Sequence, residues 1–367
     1  MKIAVIFGTR PEIIKLAPVI LAIRKKPRRF KTVLLATAQH RGLLDQMLNL
    51  FGLKPDIDLD IMKPYQGLEE LTSRVMDKAG KALLRIRPDL VLVQGDTTTA
   101  MISALAAFYR KIPVAHVEAG LRTGDPFNPF PEEINRKIIS TLAAYHFAPT
   151  QAAARNLRTE GIPSSRIFVT GNPVVDALLH IDKKMGRRAS SVPIDSGKKL
   201  VLVTAHRRES FGKPLERICR ALIEIVSLEE DVRIVYPVHP NPGVQESVAA
   251  YLSGIDRIHL LKPLDYVDFL ALMKKAYLIL TDSGGVQEEA PTFRKPVLVL
   301  REKTERPEGI RAGIARLVGT DEKRILDEAG KILNDPREYR RMTGRKNPYG
   351  DGKAALRIRK IIESIRL

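Results

Sequence analysis

The 367-residue chain has no tryptophan and only one cysteine, Cys219. A lone cysteine excludes a disulfide within the chain, and its place in the amphipathic segment LERICRALIEIV predicts a buried structural thiol. We therefore expect a cytoplasmic protein. Its apolar runs are short compared with the roughly 20 residues that cross a bilayer, so the sequence predicts no membrane span. The first residues, MKIAVIFGTRPE, lack the features of a signal peptide and predict a strand.

The formal net charge of +19 would suit a nucleic-acid-binding protein. However, lysine and arginine are spread over the whole chain, aromatic residues make up only 5% of it, and no RNA- or DNA-binding motif is present. We expect a surface that favours small anionic ligands, with nucleic-acid binding as a minor alternative.

Short apolar runs alternate with amphipathic stretches of helical length. The runs are KIAVIFG, KTVLLATA, DLVLVQGD, IPVAHVEAG, YHFAPT and RIFVTG, and, after the polar break DKKMGRRASSVPIDSGKK, KLVLVTAH, VRIVYPVH, RIHLLKP, YLILTD and KPVLVL. Strands that are apolar throughout predict parallel sheets covered by helices on both faces. The sequence thus predicts an α/β protein with two doubly wound Rossmann-like domains, 1–175 and 176–351, and a last helix, 352–367, that packs back on the first domain.

Unusual residues gather where the predicted strands end. The clusters are GTRPE, QGDTTTA, HVEAGLRTGD, AHRRESFG, HPNPG, TDSGG and REKTERPEG. In doubly wound sheets, ligands bind beyond the carboxyl ends of the strands. Because both domains carry such clusters, we expect a binding cleft between facing domains.

The segment TDSGGVQEEA follows an apolar run directly. A helix that starts at Ser283, Gly284 and Gly285 would offer backbone N–H groups and close approach to a phosphate, although an ordinary serine N-cap in a tight turn has the same sequence. Glu288 and Glu289 would repel a phosphate but could accept hydrogen bonds from a ribose diol. Together these features predict a nucleotide site.

Other motifs restrict the choice of ligand. The turn FGTRPEI has one glycine where a dinucleotide fingerprint has three, and no Walker sequence is present. His206 and His239 follow strands without a second ligand at metal spacing. We therefore expect neither NAD nor a metal, and no other cofactor.

Eight motifs in order, from Gly8 to Gly309, carry a family resemblance. They are GTRPE, QGDTTTA, HVEAGLRTGD, PEEINR, AHRRESFG, YPVH, TDSGGVQEEAP and TERPEG. This series resembles the non-hydrolysing UDP-N-acetylglucosamine 2-epimerases. The resemblance implies a GT-B fold, a homodimer, and interconversion of UDP-GlcNAc and UDP-ManNAc without NAD or metal, which would supply ManNAc for surface polysaccharides. A hydrolysing 2-epimerase, a GT-B glycosyltransferase and a basic nucleotide- or RNA-binding module remain as alternatives.

The resemblance also implies a mechanism. The C2 hydrogen of a sugar is not acidic, so inversion without NAD requires anti-elimination of UDP to 2-acetamidoglucal, followed by protonation from the other face and return of UDP. The catalytic residues that match the family are Asp96, Glu118, Glu132 and His206. Taken alone, Asp96 could be a helix N-cap and Glu132 a partner of the helix dipole. The sequence leaves open which carboxylate acts on which face.

The remaining site residues are also assigned by resemblance. The substrate-binding residues are Arg10 and Lys15 in the first domain, with Ser283, Gly284 and Gly285 for the diphosphate, Glu289 for the ribose and Arg306 for the nucleotide in the second. A second UDP-GlcNAc could act as an activator at residues Gln39, Arg74, Arg207 and His239. Gly42 departs from that pattern, because a longer polar side chain usually stands there.

Overall fold

A computed structural model describes residues 1–37, 41–62, 66–186, 197–207 and 210–365, except for the side chains at 41 and 43. The chain divides into two compact units. Unit 1 contains Met1–Ile181 and Tyr349–Leu367, and unit 2 contains Asp182–Pro348. Most of the polar break predicted between the domains, residues 187–196, lies outside the described residues.

Unit 1 is built on a parallel sheet of seven strands in the order β3-β2-β1-β4-β5-β6-β7. Its strands are β1 (Lys2–Phe7), β2 (Lys31–Ala36), β3 (Ile57–Asp58), β4 (Leu90–Gln94), β5 (Val114–Val117), β6 (Tyr145–Ala148) and β7 (Ile167–Val169). Its helices are α1 (Arg10–Arg24), α2 (Arg41–Phe51), α3 (Leu68–Ile86), α4 (Thr98–Phe108), α5 (Glu132–Leu142), α6 (Gln151–Thr159) and α7 (Pro173–Met185), the last of which continues into unit 2.

Unit 2 is built on a parallel sheet of six strands in the order β10-β9-β8-β11-β12-β13. Its strands are β8 (Lys199–Thr204), β9 (Val232–Pro237), β10 (Ile258–Leu261), β11 (Leu278–Thr281), β12 (Val297–Val299) and β13 (Ala315–Leu317). Its helices are α8 (Lys213–Leu228), α9 (Pro242–Leu252), α10 (Tyr266–Lys275), α11 (Gly284–Glu289), α12 (Pro307–Arg311), α13 (Glu322–Asn334) and α14 (Pro336–Thr343).

The central strands of both sheets are buried apart from the lysines that begin β1 and β8, which explains their long apolar runs. These two sheets confirm the predicted α/β class with two doubly wound, Rossmann-like domains. The sequence pattern missed β3 and β13, which have two and three residues and are too short to show a periodicity. Among the described residues, no helix is both long and apolar enough to cross a membrane.

Strand order reverses at one place in each sheet, and that place positions the candidate site. In unit 1 the reversal lies between β1 and β4, and in unit 2 it lies between β8 and β11. At such a switch point the loops after the two strands run in opposite directions and leave a crevice beyond the sheet. Gly8 follows β1 there, and a Cβ atom on it would lie 2.1 Å from Thr37 Oγ1. Only glycine fits this turn.

The chain returns to unit 1 through residues 349–353, here called the return segment, which lead into α15 (Ala354–Ser364). Helix α15 packs against α1. Its first turn is capped from α7, because the Asp176 carboxylate accepts hydrogen bonds from the backbone N–H groups of Ala354 and Ala355 at 3.1 and 3.0 Å. A side chain of one helix thus fixes the start of another that is distant in sequence.

We expect Asp176→Ala to lower the free energy of unfolding by about 1 kcal/mol, the usual effect of losing a helix cap. Chemical denaturation followed by circular dichroism measures this difference. Asp77→Ala is the matched control, since the Asp77–Lys81 ion pair at 2.8 Å lies on the exposed face of α3 and should contribute about 0.5 kcal/mol or less. Equal effects of the two variants would contradict the capping role.

Candidate active site

Glu118 lies directly after β5 and is buried, with three donors around its carboxylate. Lys15 Nζ lies 2.5 Å from Oε1, Asn172 Nδ2 donates to the same oxygen at 3.0 Å, and Gln94 Nε2 donates to Oε2. The backbone of Glu118 is left-handed, with φ of 65°, a conformation that a non-glycine residue adopts only when its surroundings hold it there. The carboxylate is therefore held in one orientation.

Asp96 follows the neighbouring strand β4. Its carboxylate oxygen Oδ2 accepts from Arg136 Nε at 2.9 Å and Nη2 at 2.6 Å, and Asn135 Nδ2 donates to its backbone carbonyl at 2.8 Å. Thr97, not Asp96, caps α4, since its hydroxyl accepts from the N–H of Ala100 at 3.0 Å. The prediction that Asp96 could be a helix N-cap is therefore wrong, and its side chain binds Arg136 instead.

Glu132 and Glu133 open α5 but have different surroundings. Glu133 is fully buried and accepts from the backbone N–H groups of Thr123 and Gly124 at 3.1 Å, and from Arg136 Nη1 at 3.1 Å. It thus fixes the loop that follows Glu118, and Arg136 joins this loop to Asp96. Glu132 is partly exposed in the first turn of the helix.

Glu12 connects the two turns of the switch point in unit 1. Its Oε2 accepts from the N–H groups of Gly8 and Thr9 at 2.8 and 2.7 Å, and its Oε1 accepts from Thr97 Oγ1 at 2.7 Å. Burial raises the pKa of Glu12 above its ordinary value, although the hydrogen bonds that it accepts act in the opposite direction. The turn that carries Arg10 is thereby attached to the turn that carries Asp96.

His116 supports the same turn from within the sheet. Burial lowers its pKa to about 3, so the ring is neutral at physiological pH. Its Nε2 lies 2.7 Å from the carbonyl oxygen of Gly95, and because a carbonyl only accepts, Nε2 carries the hydrogen. The backbone carbonyl of Gly95, next to Asp96, therefore accepts a hydrogen bond from His116 within the sheet.

In unit 2, Asp282 organises the switch point between β8 and β11. This fully buried carboxylate accepts from the backbone N–H groups of His206 and Arg207, each at 2.8 Å, and from Ser210 Oγ at 3.1 Å. His206 Nδ1 lies 3.5 Å from Asp282 Oδ1, and its ring stacks on that of His239 with centroids 5.1 Å apart. Asp282 thus fixes the place of both His206 and Arg207.

Arg306 lies among carboxylates in the loop after β12, directly before α12. Its Nε donates to Glu288 at 2.8 Å, and its Nη1 lies 2.8 Å from Glu305. A Cβ atom on Gly284 would lie 3.2 Å from the guanidinium of Arg306. The Ser283–Gly284 turn therefore lies directly against this guanidinium.

Glu305 is the centre of this ion cluster. Its burial acts to raise its pKa, but the attraction of Arg306, Arg301 and Arg207 outweighs burial and lowers the pKa to about 2. Arg301 Nη1 donates to it at 2.7 Å.

Glu289 lies at the end of α11 and is largely buried. Its Oε1 accepts from the Tyr266 hydroxyl at 2.8 Å. The N–H of Ser283 donates to Thr281 Oγ1 at 3.0 Å, and no hydrogen bond from the Ser283 side chain caps α11. The predicted roles of Glu289 and Ser283 in ribose and diphosphate binding stay predictions.

The residues predicted for an activator site are distributed over both units. Arg207 and His239 lie beside His206 in unit 2, whereas Arg74 lies on α3 in unit 1, 3.7 Å from Glu70. Gln39 lies outside the described residues. Their joint role stays a prediction.

Several residues that hold the site were not predicted. They are Glu12, Gln94, Glu133, Arg136, Asn172, Asp282 and Glu305. All but Asn172 stand inside the quoted motifs, so each had a signal in the sequence, but its partner came from another loop. Lys15, which was assigned to the substrate, contacts Glu118, and its contact with the nucleotide stays a prediction. Within the described part of the chain, no group of three His, Cys, Asp or Glu side chains could hold a metal ion.

Comparison with known proteins finds relatives that are similar over the whole chain. A family model described as UDP-N-acetylglucosamine 2-epimerase matches residues 22–363. The UDP-N-acetylglucosamine 2-epimerase of Salmonella typhimurium is 52% identical over the whole of both chains. The solved UDP-GlcNAc 2-epimerase of Neisseria meningitidis, bound to UDP-GlcNAc, is 44% identical with a TM-score of 0.94 over the whole of both chains. That of Methanocaldococcus jannaschii, in complex with UDP-GlcNAc and UDP, is 37% identical with a TM-score of 0.84 over 99% of each.

The pKa of Glu305 leads to a prediction about unit 2. Since the folded pKa, about 2, lies below the ordinary 4.5, ionised Glu305 stabilises the fold above about pH 4.5, and this contribution is lost as the pH falls towards 2. We expect the difference in unfolding free energy between wild type and Glu305→Gln to shrink over that range by about 3 kcal/mol.

Denaturant titrations from pH 7 to pH 2 measure that difference. Glu302→Gln removes an exposed carboxyl of the same loop and is the matched control, with an expected effect within about 0.5 kcal/mol throughout. A difference for Glu305→Gln that does not change with pH would contradict the role of its charge.

Proposed function

We propose that this chain, which belongs to the UDP-N-acetylglucosamine 2-epimerase family, reversibly converts UDP-GlcNAc to UDP-ManNAc without net hydrolysis. The reaction would take place in the cytoplasm and supply ManNAc for surface polysaccharides. The observation that carries the proposal is the buried carboxylate of Glu118, which three donors hold at the end of β5, beside the strand end of Asp96.

The surroundings of Glu118 suit a proton acceptor. Its Oε1 accepts from both Lys15 and Asn172, whereas Gln94 is the donor found at Oε2. Hydrogen bonds at both oxygens hold the carboxylate in one orientation, as a positioned general base requires. A Cβ atom on Gly95 would lie 3.8 Å from Oε2, which places Oε2 beside the backbone that leads into Asp96. Two acid–base groups therefore occur at adjacent strand ends.

The chemistry requires both an acid and a base. As the C1–O bond to UDP breaks, its electron pair leaves with the diphosphate, and a carboxylate takes the C2 proton, so that a C1–C2 double bond forms in 2-acetamidoglucal. Return of a proton to the opposite face of C2, with attack of the UDP oxygen on C1, gives the epimer. Asp96, Glu118 and Glu132 are the groups that we propose for these transfers.

Retention of UDP is what separates this reaction from hydrolysis. His206, fixed by Asp282, would donate to the diphosphate as it leaves, while Arg306 and the turn at Ser283, Gly284 and Gly285 would hold its charge. Arg10 and Lys15 would also bind the substrate, and Glu289 would bind the ribose. With UDP held in place, return to C1 competes with attack by water. A hydrolysing 2-epimerase would instead release ManNAc and UDP.

A homodimer is also proposed, and exposed apolar side chains of unit 1 support it. Leu84 on α3, with Phe108 and Tyr109 at the end of α4, are 59, 54 and 67% exposed, and Ile134 and Ile138 lie on the exposed side of α5. Helix α4 packs against both α3 and α5. Exposed apolar residues on neighbouring helices are typical of an interface between protein chains.

We expect turnover of UDP-GlcNAc in D2O to place deuterium at C2 of UDP-ManNAc, because the proton on the carboxylate exchanges with solvent. Proton NMR of the reaction follows the C2 signal and also distinguishes UDP-ManNAc from free ManNAc. Full retention of hydrogen at C2 would rule out the elimination mechanism, and accumulation of free ManNAc with UDP would show a hydrolysing enzyme.

Asp96→Asn, Glu118→Gln and Glu132→Gln test the same mechanism. Each keeps the size of the side chain and removes its acid–base function, so we expect the rate to fall by about 10² to 10⁴-fold while UDP still binds. The losses should not multiply in double variants, since the three groups serve one coupled pathway.

A further prediction concerns the guanidinium that lies against the Ser283–Gly284 turn. We expect Arg306→Ala to weaken UDP binding by about 10- to 100-fold, measured by calorimetry, because a charge-assisted contact to phosphate is lost. Arg316→Ala is the matched control, since Arg316 pairs with Glu328 at 2.5 Å in a different ion cluster of unit 2. Wild-type affinity in Arg306→Ala would remove Arg306 from the site.

A further inference from the structure

Asn172 is a fully buried amide that lies outside every motif discussed above. Its Nδ2 donates to Glu118 Oε1 at 3.0 Å, and its Oδ1 accepts from the N–H of Val174 at 3.1 Å, at the start of α7. A backbone N–H can only donate, so this second contact assigns the oxygen end of the amide to the helix. The NH2 end must then face the carboxylate.

The backbone of Asn172 is anchored as well. Its N–H donates to the carbonyl of Tyr349 at 2.7 Å, in the return segment. At Gly350, where φ is 144°, a Cβ atom would lie 3.5 Å from Asn172 N. Backbone and side chain are therefore both fixed, so the direction of the amide N–H toward Glu118 is set before any substrate binds.

We propose that Asn172 is a positioning residue for Glu118, which fixes Oε1 and with it the orientation of the carboxylate for proton transfer at C2. This inference rests on the proposed function, in which Glu118 takes part in the proton transfer. Lys15 places a positive charge next to Oε1. However, an ammonium group on a flexible side chain directs a hydrogen bond less strictly than an amide whose oxygen is already bonded. The orientation of the carboxylate is therefore set by Asn172.

Asn172→Ser is the variant of choice, because serine keeps an oxygen that can accept from the Val174 N–H and loses only the donor to Glu118. We expect kcat for UDP-GlcNAc to fall about 10- to 100-fold, the effect of losing a hydrogen bond to a charged group, with KM changed by less than about threefold. Asn172→Asp keeps size and shape and places a carboxylate against Glu118, so its kcat should fall further.

Asn156→Ala is the matched control. Its amide Nδ2 donates to the carbonyl of Gly120 at 2.9 Å, in the loop just after Glu118, but does not contact that carboxylate. We expect its kcat to stay within about threefold of wild type. Circular dichroism and thermal unfolding show whether each variant is folded.

A double-mutant cycle separates positioning from a structural role. If Asn172 acts through Glu118, Asn172→Ser should lower kcat by less than about threefold once Glu118→Gln is present. Three results would each overturn the inference: an unchanged kcat in Asn172→Ser, a change in its KM alone, or an equal further loss of kcat in the Glu118→Gln background. If the wild type still forms UDP-ManNAc, the proposed function stands. A wild-type chain that forms no UDP-ManNAc would overturn the proposed function and this inference with it.

Discussion

A buried carboxylate must be surrounded by donors or cations, and this constraint determines the loops of the candidate site in both units. In unit 1, Glu12 joins the turns after β1 and β4, and Glu133 holds the loop after β5. In unit 2, Asp282 accepts hydrogen bonds from the backbone after β8, and Glu305 attracts three arginines. Each of these carboxylates is buried, and the hydrogen bonds and ion pairs that it accepts hold a loop in place.

Exposure divides the carboxylates of unit 1 into two groups. Glu12 and Glu133 are fully buried and each accepts at least two backbone hydrogen bonds, so they serve the structure. Asp96 and Glu132 are partly exposed at the same edge of the sheet. Glu118 is intermediate: it is buried, but the donors identified at its carboxylate, Lys15, Gln94 and Asn172, are side chains. Burial among fixed side-chain donors suits a group that reacts in one orientation.

The fold class and the family were predictable because both depend on local patterns. Continuous apolar strands predicted the parallel sheets, and the family and GT-B class suggested by eight ordered motifs are confirmed by relatives with about half of their residues identical over the full length. Pairings between loops were not predictable. Asn172 stands 54 positions from Glu118, and no periodicity shows that two such loops meet. Helix propensity also could not decide between Asp96 and Thr97 as the cap of α4, since both residue types are good caps.

The return segment has a consequence for how the chain is made. Unit 1 is completed by residues 349–365, which the ribosome synthesises only after all of unit 2. Until then, the face of α1 that packs against α15 is uncovered, and Asn172 lacks the carbonyl that anchors its backbone. Unit 2, whose residues are contiguous, can fold first. The final packing of unit 1 therefore depends on residues that follow unit 2 in the chain, and a chain interrupted before residue 349 has all of unit 2 but a unit 1 that is still open.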